Sequence, residues 1–572
     1  MGTAGGLRTR RYHALLVASR PNPAQRMVGL VSLDPVLNGT TGGQIRLATH
    51  EWADGTISPD GHIHLERFDL VNGLPRWRWR VGETVLEREL AMRHGRSCVA
   101  VVHRLLAGGP VDLSLEALCA WRDQHGEQHG SLSVDGTADG AVLSGAYRLR
   151  GPDWVPDGTW MRGVRYRLEA ERGYVATEDL LRAGRFRGHL QRPGDSLEVT
   201  AWAGDLSSEP PPAHTIIADA HVRNARFDAL ALAADAFIID GPNGTDVVAG
   251  YPWFGAWSRD TMISYEGLFL ETGRFDEGRS LLTGYAATLS EGMLANTADG
   301  GMVGYNTADA TLWFVHAIDR HVARTGDGSL MQELRPALDK ILQAHLEGTR
   351  YGIRVDPQDG LLMQGAEGEA LTWMDARVRG VPVTPRRGKA VEINALWCNA
   401  LAVLGHDLHA KAVGSFRRAF AGGPWLRDTL DSAEGEALRP NQLLAYSLPH
   451  APMDPDPSVL HRIGEALLTP LGLRTLAPGN PAYRPRHAGT LAERDYAYHQ
   501  GTVWSWLIGP YATALRKAGL STAGLFDGLL AHQGEWGLGS VSETCHGDPP
   551  HEATGCPFQA WSVAELLRGN RL

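Results

Sequence analysis

The sequence predicts a multidomain β + α chain, an N-terminal antiparallel β-sandwich followed by a six-hairpin (α/α) helical toroid. Three observations carry this reading. Apolar residues alternate with period two up to about residue 205, prolines 210–212 interrupt the pattern, and a period of 3.6 takes over afterwards. At 572 residues the chain is also too long for one hydrophobic core. The expected parts are 1–205 for the sandwich, 206–225 for a linker and helix, and 226–572 for the helical domain.

The clearest alternation is 76-RWRWRVGETVLERELAM-92, followed by 163-GVRYRLEAERG-173 and 196-SLEVTAWAGD-205. Aromatic and β-branched residues at every second position, broken by Gly-rich turns, read as strands with one buried face. The stretch 206-LSSEPPPAH-214 holds three consecutive prolines, which continue neither a sheet interior nor a helix. Beyond it, in 306-NTADATLWFVHAIDRHVART-325, Ala308, Leu312, Val315, Ile318 and Val322 fall on one stripe. Similar stripes at 219–237, 259–273, 275–292, 329–348, 391–405, 410–421, 440–448, 457–468, 500–518, 521–535 and 556–569 bring the helices to twelve. No convincing strands lie between them. Twelve helices fit six hairpins in a ring, and the absence of a fixed-period motif argues against a solenoid.

A formal charge of −10 disfavours nucleic acid, whose phosphates demand basic surface. No apolar run approaches the roughly 20 residues that span a bilayer. The start, 1-MGTAGGLRTRRYHALLVAS-19, lacks the longer apolar stretch of a signal peptide, and its short apolar run reads as a strand. Five cysteines without a CxxC pair suit reduced thiols, and the expected location is the cytoplasm. Two metal-like patterns are weak. Cys545 and Cys556 flank a His-containing loop, and His125 and His129 are spaced four apart, but Gly126 and Gly130 oppose a helix there and further ligands are missing. Gly-rich 1–6 lacks the Lys-Ser/Thr ending of a phosphate loop. Neither metal nor cofactor is expected.

Three unusual loops each precede a helix: 250-GYPWFGAWSRDT-261, 371-LTWMDARVRG-380 and 540-SVSETCHGDPPHEATG-555. Loops held by a rigid ring carry function. Asp375 follows Trp373 and Met374, and apolar neighbours raise a carboxyl toward the range of a general acid. The same Asp could cap a helix starting near Ala376, although Gly and Pro are too dense in 378–388 for one. Glu543 lies among small polar residues that leave a carboxylate ionised; it also reads as a solvated loop residue.

The runs 250-GYPWFGAWSRDTMIS-264, 305-YNTADATLWF-314, 371-LTWMDA-376, 388-GKAVEINALW-397, 498-YHQGTVWSWLIGPY-511 and 556-CPFQAWSVAELL-567 resemble the bacterial and archaeal glycogen-debranching family, which itself resembles the amylo-α-1,6-glucosidase half of the eukaryotic enzyme. The run 10-RRYHALLVA-18 is similar to that family's sandwich domain. The resemblance covers nearly the whole chain and implies an inverting glucosidase acting on α-1,6 branch stubs of glycogen-like α-glucans. It implies Asp375 as acid and Glu543 as base, the two-carboxyl arrangement that glycoside hydrolysis needs. An Arg259–Asp260 pair would grip neighbouring sugar hydroxyls, with Trp253 and Trp257 against the ring. Further substrate contacts are expected at Tyr305, Asn306, Asp309, Trp373, Glu392, Asn394, His499 and Gln500, several of which also read as core or capping residues. By the same resemblance, the loop 121–130 reaches from the sandwich toward the funnel.

The chain departs from the family pattern in three places. A Gly-rich segment usually precedes the position of Met1, so Met1 reads either as a late start or as a truncation of the sandwich. Ser258 stands where Gly is common, and 265-YEG-267 replaces a Leu-Pro-Gly-like run; both point to the entrance. No glucanotransferase-type barrel accompanies the ring, which implies a partner enzyme that shortens branches first. The alternatives are an inverting phosphorylase, another α-glucosidase, and a glucan-binding protein without catalysis.

Overall fold

The computed structural model describes every residue except 1, 21, 23, 39–42, 298–302, 431, 433, 434 and 572. The chain divides into two compact units, Met1–Leu232 and Ala233–Leu572.

Two antiparallel sheets build the first unit. Among the described residues, one orders Val17–Ser19, Arg26–Asn38, Val111–Asp123, Thr177–Leu190 and Trp154–Arg165, with Gln44–Arg46 beside the second strand. The other orders Val134–Thr137, Gly140–Leu143, Tyr147–Arg150, Ser196–Ala203, Cys98–Ala107, Thr84–Met92, Leu74–Val81 and Leu65–Val71. Its alternating strand behaves as period two requires. Trp77 and Trp79 turn inward and are buried, while Arg76 and Arg78 turn outward onto their cross-strand partners Glu89 and Glu87, each at 3.0 Å. Leu30, Leu115 and Phe186 of one sheet share a core with Trp77, Val101 and Val199 of the other. The two sheets bury apolar faces against each other, which is a sandwich.

Several expectations shift here. The strand expected over 163–173 ends at Arg165, and Arg167–Glu171 is a short helix. The run in 1–19 contributes only Val17–Ser19 as strand. The stripe at 219–237 is two helices, Ala213–Asn224 and Ala229–Asp235. The first of these lays Ala213, Ile216 and Ile217 on Leu74, Ala91, Cys98, Ala100, Val102 and Trp202, the outer face of the larger sheet. A segment expected to link the units is thereby part of the first one.

The second unit contains two kinds of helix. Ser258–Tyr265, Ala310–Thr325, Val391–Leu404, Leu444–Ser447, Ile508–Lys517 and Ala560–Arg571 are mostly buried around their circumference; all eight residues of the first are buried. Each packs on the next, and Ala560–Arg571 packs back on Ser258–Tyr265. Phe275–Ala286, Gly328–Glu347, Leu408–Phe420 and Pro457–Leu467 instead bury one stripe each. In Gly328–Glu347 that stripe is Leu330, Leu334, Leu338, Ile341 and His345. A helix buried all round belongs inside and a striped one outside.

The return contact is close. A Cβ on Gly267 would lie 2.1 Å from the Ala564 carbonyl oxygen, so only glycine allows the crossing. Tyr265–Gly267, expected at an entrance, is therefore part of the helix packing. Tyr265 reaches His321 at 2.7 Å, and Glu266 meets His316 at 3.3 Å. Among the described residues no helix is long and apolar enough to cross a membrane.

Short strands do lie between the helices, against expectation. Leu468–Thr469, Gly472–Arg474, Val503–Trp504, Thr544–Cys545 and Ala553–Thr554 form one small sheet, and Gly250–Tyr251 pairs with Phe558–Gln559. Strands of two or three residues are too short to display a period.

Candidate active site

Several polar residues near the expected site sit at the beginnings of the buried helices, while Asp375 and Glu543 lie outside any helix. Ser258, Arg259 and Asp260 open one helix, Asp309 caps another, Glu392 is second in a third, and Gln559 immediately precedes the last. Side chains at adjacent helical positions point apart. Arg259 and Asp260 accordingly take different partners, which corrects the expected clamp between them.

Arg259 is buried and donates from Nε to both Asp309 oxygens, at 2.8 and 3.0 Å, and from Nη1 to Asp375 Oδ2 at 2.8 Å. Its Nη2 lies 3.4 Å from the Thr307 hydroxyl. The cation is buried and engaged by two carboxylates, and its bond to Asp375 fixes that side chain. Asp375 lies outside any helix, which removes the capping alternative, and its side chain is 30% exposed against 3% for Arg259. Burial raises its carboxyl above the ordinary range, Arg259 opposes the rise, Asp309 adds to it, and the net direction is upward.

Asp260 accepts from Gln559 Nε2 at 3.2 Å. Burial pushes it up to about 8, against the pull of Arg259 and with help from the nearby charges of Glu543 and Asp375. Near neutral pH that rise favours its neutral form, where the sequence suggested an accepting carboxylate.

Glu543 is buried, and its two oxygens have different holders. Tyr498 donates its hydroxyl to Oε1, and the Cys556 amide donates to Oε2 at 2.9 Å. Gly555 makes room for that contact. It has φ 65°, and a Cβ there would stand 2.3 Å from Glu543 Oε2. The small sheet sets this geometry, with Thr544–Cys545 paired between Val503–Trp504 and Ala553–Thr554. Tyr498 feels the charges of Glu543, Asp375 and Asp260 together, so these groups gather around one spot.

The other expected contacts divide in two. Trp253, Trp257, Tyr305 and Asn306 are half-buried, with surface still available. Asp309, Trp373, Glu392, Asn394, His499 and Gln500 are buried, and the contacts described for them are with the protein. Glu392 is gripped by Arg386, whose Nη2 lies 2.6 Å from Oε2 and whose Nε also reaches Asp428 at 2.6 Å. Asn394 clamps the Leu362 backbone from both sides, at 2.7 and 3.1 Å. Gln500 accepts on its amide oxygen from Arg439 Nη2 at 2.6 Å. Trp373 donates to Asn441 Oδ1 at 2.8 Å, and its edges meet His499, Trp504 and Trp506. His499 is fully buried with neither ring nitrogen hydrogen-bonded, and burial holds it neutral. Ser258 is buried as well, not at an entrance, and its hydroxyl lacks a partner.

Sequence reasoning overlooked Tyr498, Gln559, Arg386, Asp428 and Asn441. Tyr498 stood beside two chosen residues in 498-YHQG-501, but a tyrosine among tryptophans reads as core. All five cysteines are buried thiols. Among the described residues, no group of three or more His, Cys, Asp or Glu is placed to hold a metal ion. His125 meets the Tyr12 hydroxyl at 3.0 Å in a loop pinned by Arg11.

A family model described as amylo-alpha-1,6-glucosidase matches residues 232–568, and one described as the glycogen debranching enzyme N terminal matches 1–197. The glycogen debranching enzyme of Saccharomyces cerevisiae is 26% identical over a match covering 58% of this chain and 30% of the yeast protein. The chain thus spans about a third of the length of that relative. A crystal structure of a bacterial glucoamylase complexed with acarbose has the same fold, with a TM-score of 0.60 at 10% identity over 98% of this chain and 92% of that one. The chain belongs to the amylo-alpha-1,6-glucosidase family of glycoside hydrolases.

Proposed function

We propose that this protein hydrolyses α-1,6-glucosidic branch stubs of glycogen or limit-dextrin-type α-glucans with inversion, releasing glucose, on a six-hairpin toroid formed by its second unit. The observation that carries the reading is the contrast between two carboxyls. Asp375 is partly exposed, with its proton favoured by burial, while Glu543 accepts hydrogen bonds on both oxygens.

Glycosidic cleavage needs one carboxyl that gives a proton and another that takes one. Asp375 passes its proton to the departing glycosidic oxygen as the bond to the anomeric carbon breaks. Glu543 takes a proton from a water molecule, whose oxygen bonds to the anomeric carbon from the opposite face. One bond forms, one breaks, and the carboxyls end with their protonation exchanged. Arg259 keeps Asp375 oriented, and neutral Asp260 adds a hydrogen-bond donor for a sugar hydroxyl. Trp253, Trp257, Tyr305 and Asn306 supply the half-buried surface for a glucose ring. Buried thiols suit a reducing compartment, and we place the reaction in the cytoplasm.

The test is incubation with limit dextrin, isomaltose and maltose, with the first-released anomer read by NMR. β-Glucose from the α-1,6 substrates supports the proposal. Release of α-glucose first, or of glucose phosphate when phosphate is supplied, overturns it. Asp375→Asn and Glu543→Gln should each lower turnover by about 10²–10⁴-fold.

A further inference from the structure

Beside the two catalytic carboxyls stands a half-buried titratable group that the mechanism does not use, the phenol of Tyr498. Its ring is clamped on several sides, stacked on His487 at 4.9 Å and packed against His499 and Trp504, each at 4.7 Å. The helix Leu491–Ala497, closed at its start by a Thr490–Glu493 capping box, delivers Tyr498 at its end. The hydroxyl of this fixed ring is spent on Glu543 Oε1.

We propose that Tyr498 is a positioning residue for the water-activating carboxylate, fixing the plane of Glu543 together with the Cys556 amide and favouring its ionised form. This rests on the hydrolytic reading of Glu543. Each carboxylate oxygen has two acceptor directions, so a donor on each does not by itself exhaust the capacity to take a proton from water.

The charge pattern explains why a phenol suits this position. Asp260, Asp375 and Glu543 all act on it, while the histidines against its ring include His499, which is held neutral. Two nearby carboxyls, wherever they carry charge, oppose ionisation of a third. A lysine or arginine here would relieve that, but its long-range field would also add to the pull that Arg259 already exerts on the Asp375 proton. A neutral donor acts at hydrogen-bond range alone. It favours the charged form of Glu543 and leaves the proton on Asp375. Burial and the same carboxyls raise the phenol's own pKa, so it keeps its proton across the working range.

The test compares pH profiles of kcat/KM on isomaltose for the wild type, Tyr498→Phe and Glu543→Gln. Losing a hydrogen bond to a charged acceptor should lower kcat by about 10–100-fold in Tyr498→Phe and move the acid limb up by about one pH unit. The alkaline limb should stay, with KM little changed. A profile scaled down without a limb shift, or one left unchanged, overturns the inference. If Tyr498→Phe fails to fold, 3-fluorotyrosine at the same position keeps the ring and strengthens the donor. The acid limb must then move down, and a static limb overturns the inference. Glu543→Gln separates the two levels. If it retains wild-type turnover, the hydrolytic reading itself fails; if it is inactive while the acid limb ignores Tyr498, only the positioning role fails.

Discussion

Arg259 and Asp375 are joined at 2.8 Å, and only the acid of the pair has appreciable exposure. The guanidinium stands behind the carboxyl with its Nε committed to Asp309. It fixes the direction of the acid and moderates the rise in its pKa. A planar fork with several donors can do both at once, and a lysine ammonium cannot.

Arg259→Lys should therefore keep the charge and lose the orientation. The expected result is a fall in kcat of about 10²-fold with KM nearly unchanged, since misplacing a reacting group costs on that order. Steady-state kinetics on isomaltose checks it. A raised KM at full kcat would return Arg259 to sugar binding.

Asp260 should make the fold less stable as pH rises. Its folded pKa of about 8 lies far above that of an unfolded aspartate. Between roughly pH 4 and 8 the native state binds the extra proton, so stability falls by up to about 1.4 kcal/mol per pH unit in that window. Asp260→Asn removes this term. Its melting temperature should exceed that of the wild type at pH 7.5, with the gap closing toward pH 4.5. A gap independent of pH contradicts the assignment.

Glu392 separates a structural role from a sugar contact. It is buried against Arg386, which also holds Asp428. Removing one partner of such a group costs about 3–5 kcal/mol. Glu392→Ala should lose that much in chemical denaturation. A stable variant with raised KM would restore the role expected from sequence.

Gly267→Ala sets helix propensity against packing. Gly267 lies in the π-helical turn Glu266–Leu270, where alanine gains at most about 1 kcal/mol, its value in an α-helix interior, but the Ala564 carbonyl occupies the space of the new methyl. Overpacking typically costs 1–3 kcal/mol, and an approach of 2.1 Å to backbone belongs at or beyond the top of that range. The net effect should be destabilising, as read by thermal melting.

Much of this was legible in the chain itself. The alternation of 76-RWRWR-80 carries its strand, its buried face and its outward arginines, because period two leaves no other arrangement. The stripe of Gly328–Glu347 does the same for an outer helix. The two-residue strands around Glu543 were not legible, since nothing so short has a period. Nor were the true partners of Arg259 and Asp260. Adjacency in sequence suggested a pair, whereas the helix turns one toward Asp309 and Asp375 and the other toward Gln559. Glu392 and Asn394 looked like ligands because they are polar in apolar surroundings. That pattern equally marks a group satisfied from within, and only the partners distinguish the two cases.

The buried helices that begin beside these residues share a further property. Each aligned stack of peptide dipoles ends in a partial positive charge where its first amide hydrogens are unsatisfied. Asp260, Asp309, Glu392 and the segment after Gln559 all meet such a beginning. Backbone polarity thus adds to Arg259 and Arg386 in stabilising the acidic groups at these helix starts. The same helices run in the opposite sense would turn carbonyl ends to this face. They would favour bases there instead, and the sugar chemistry argued above would lose its medium.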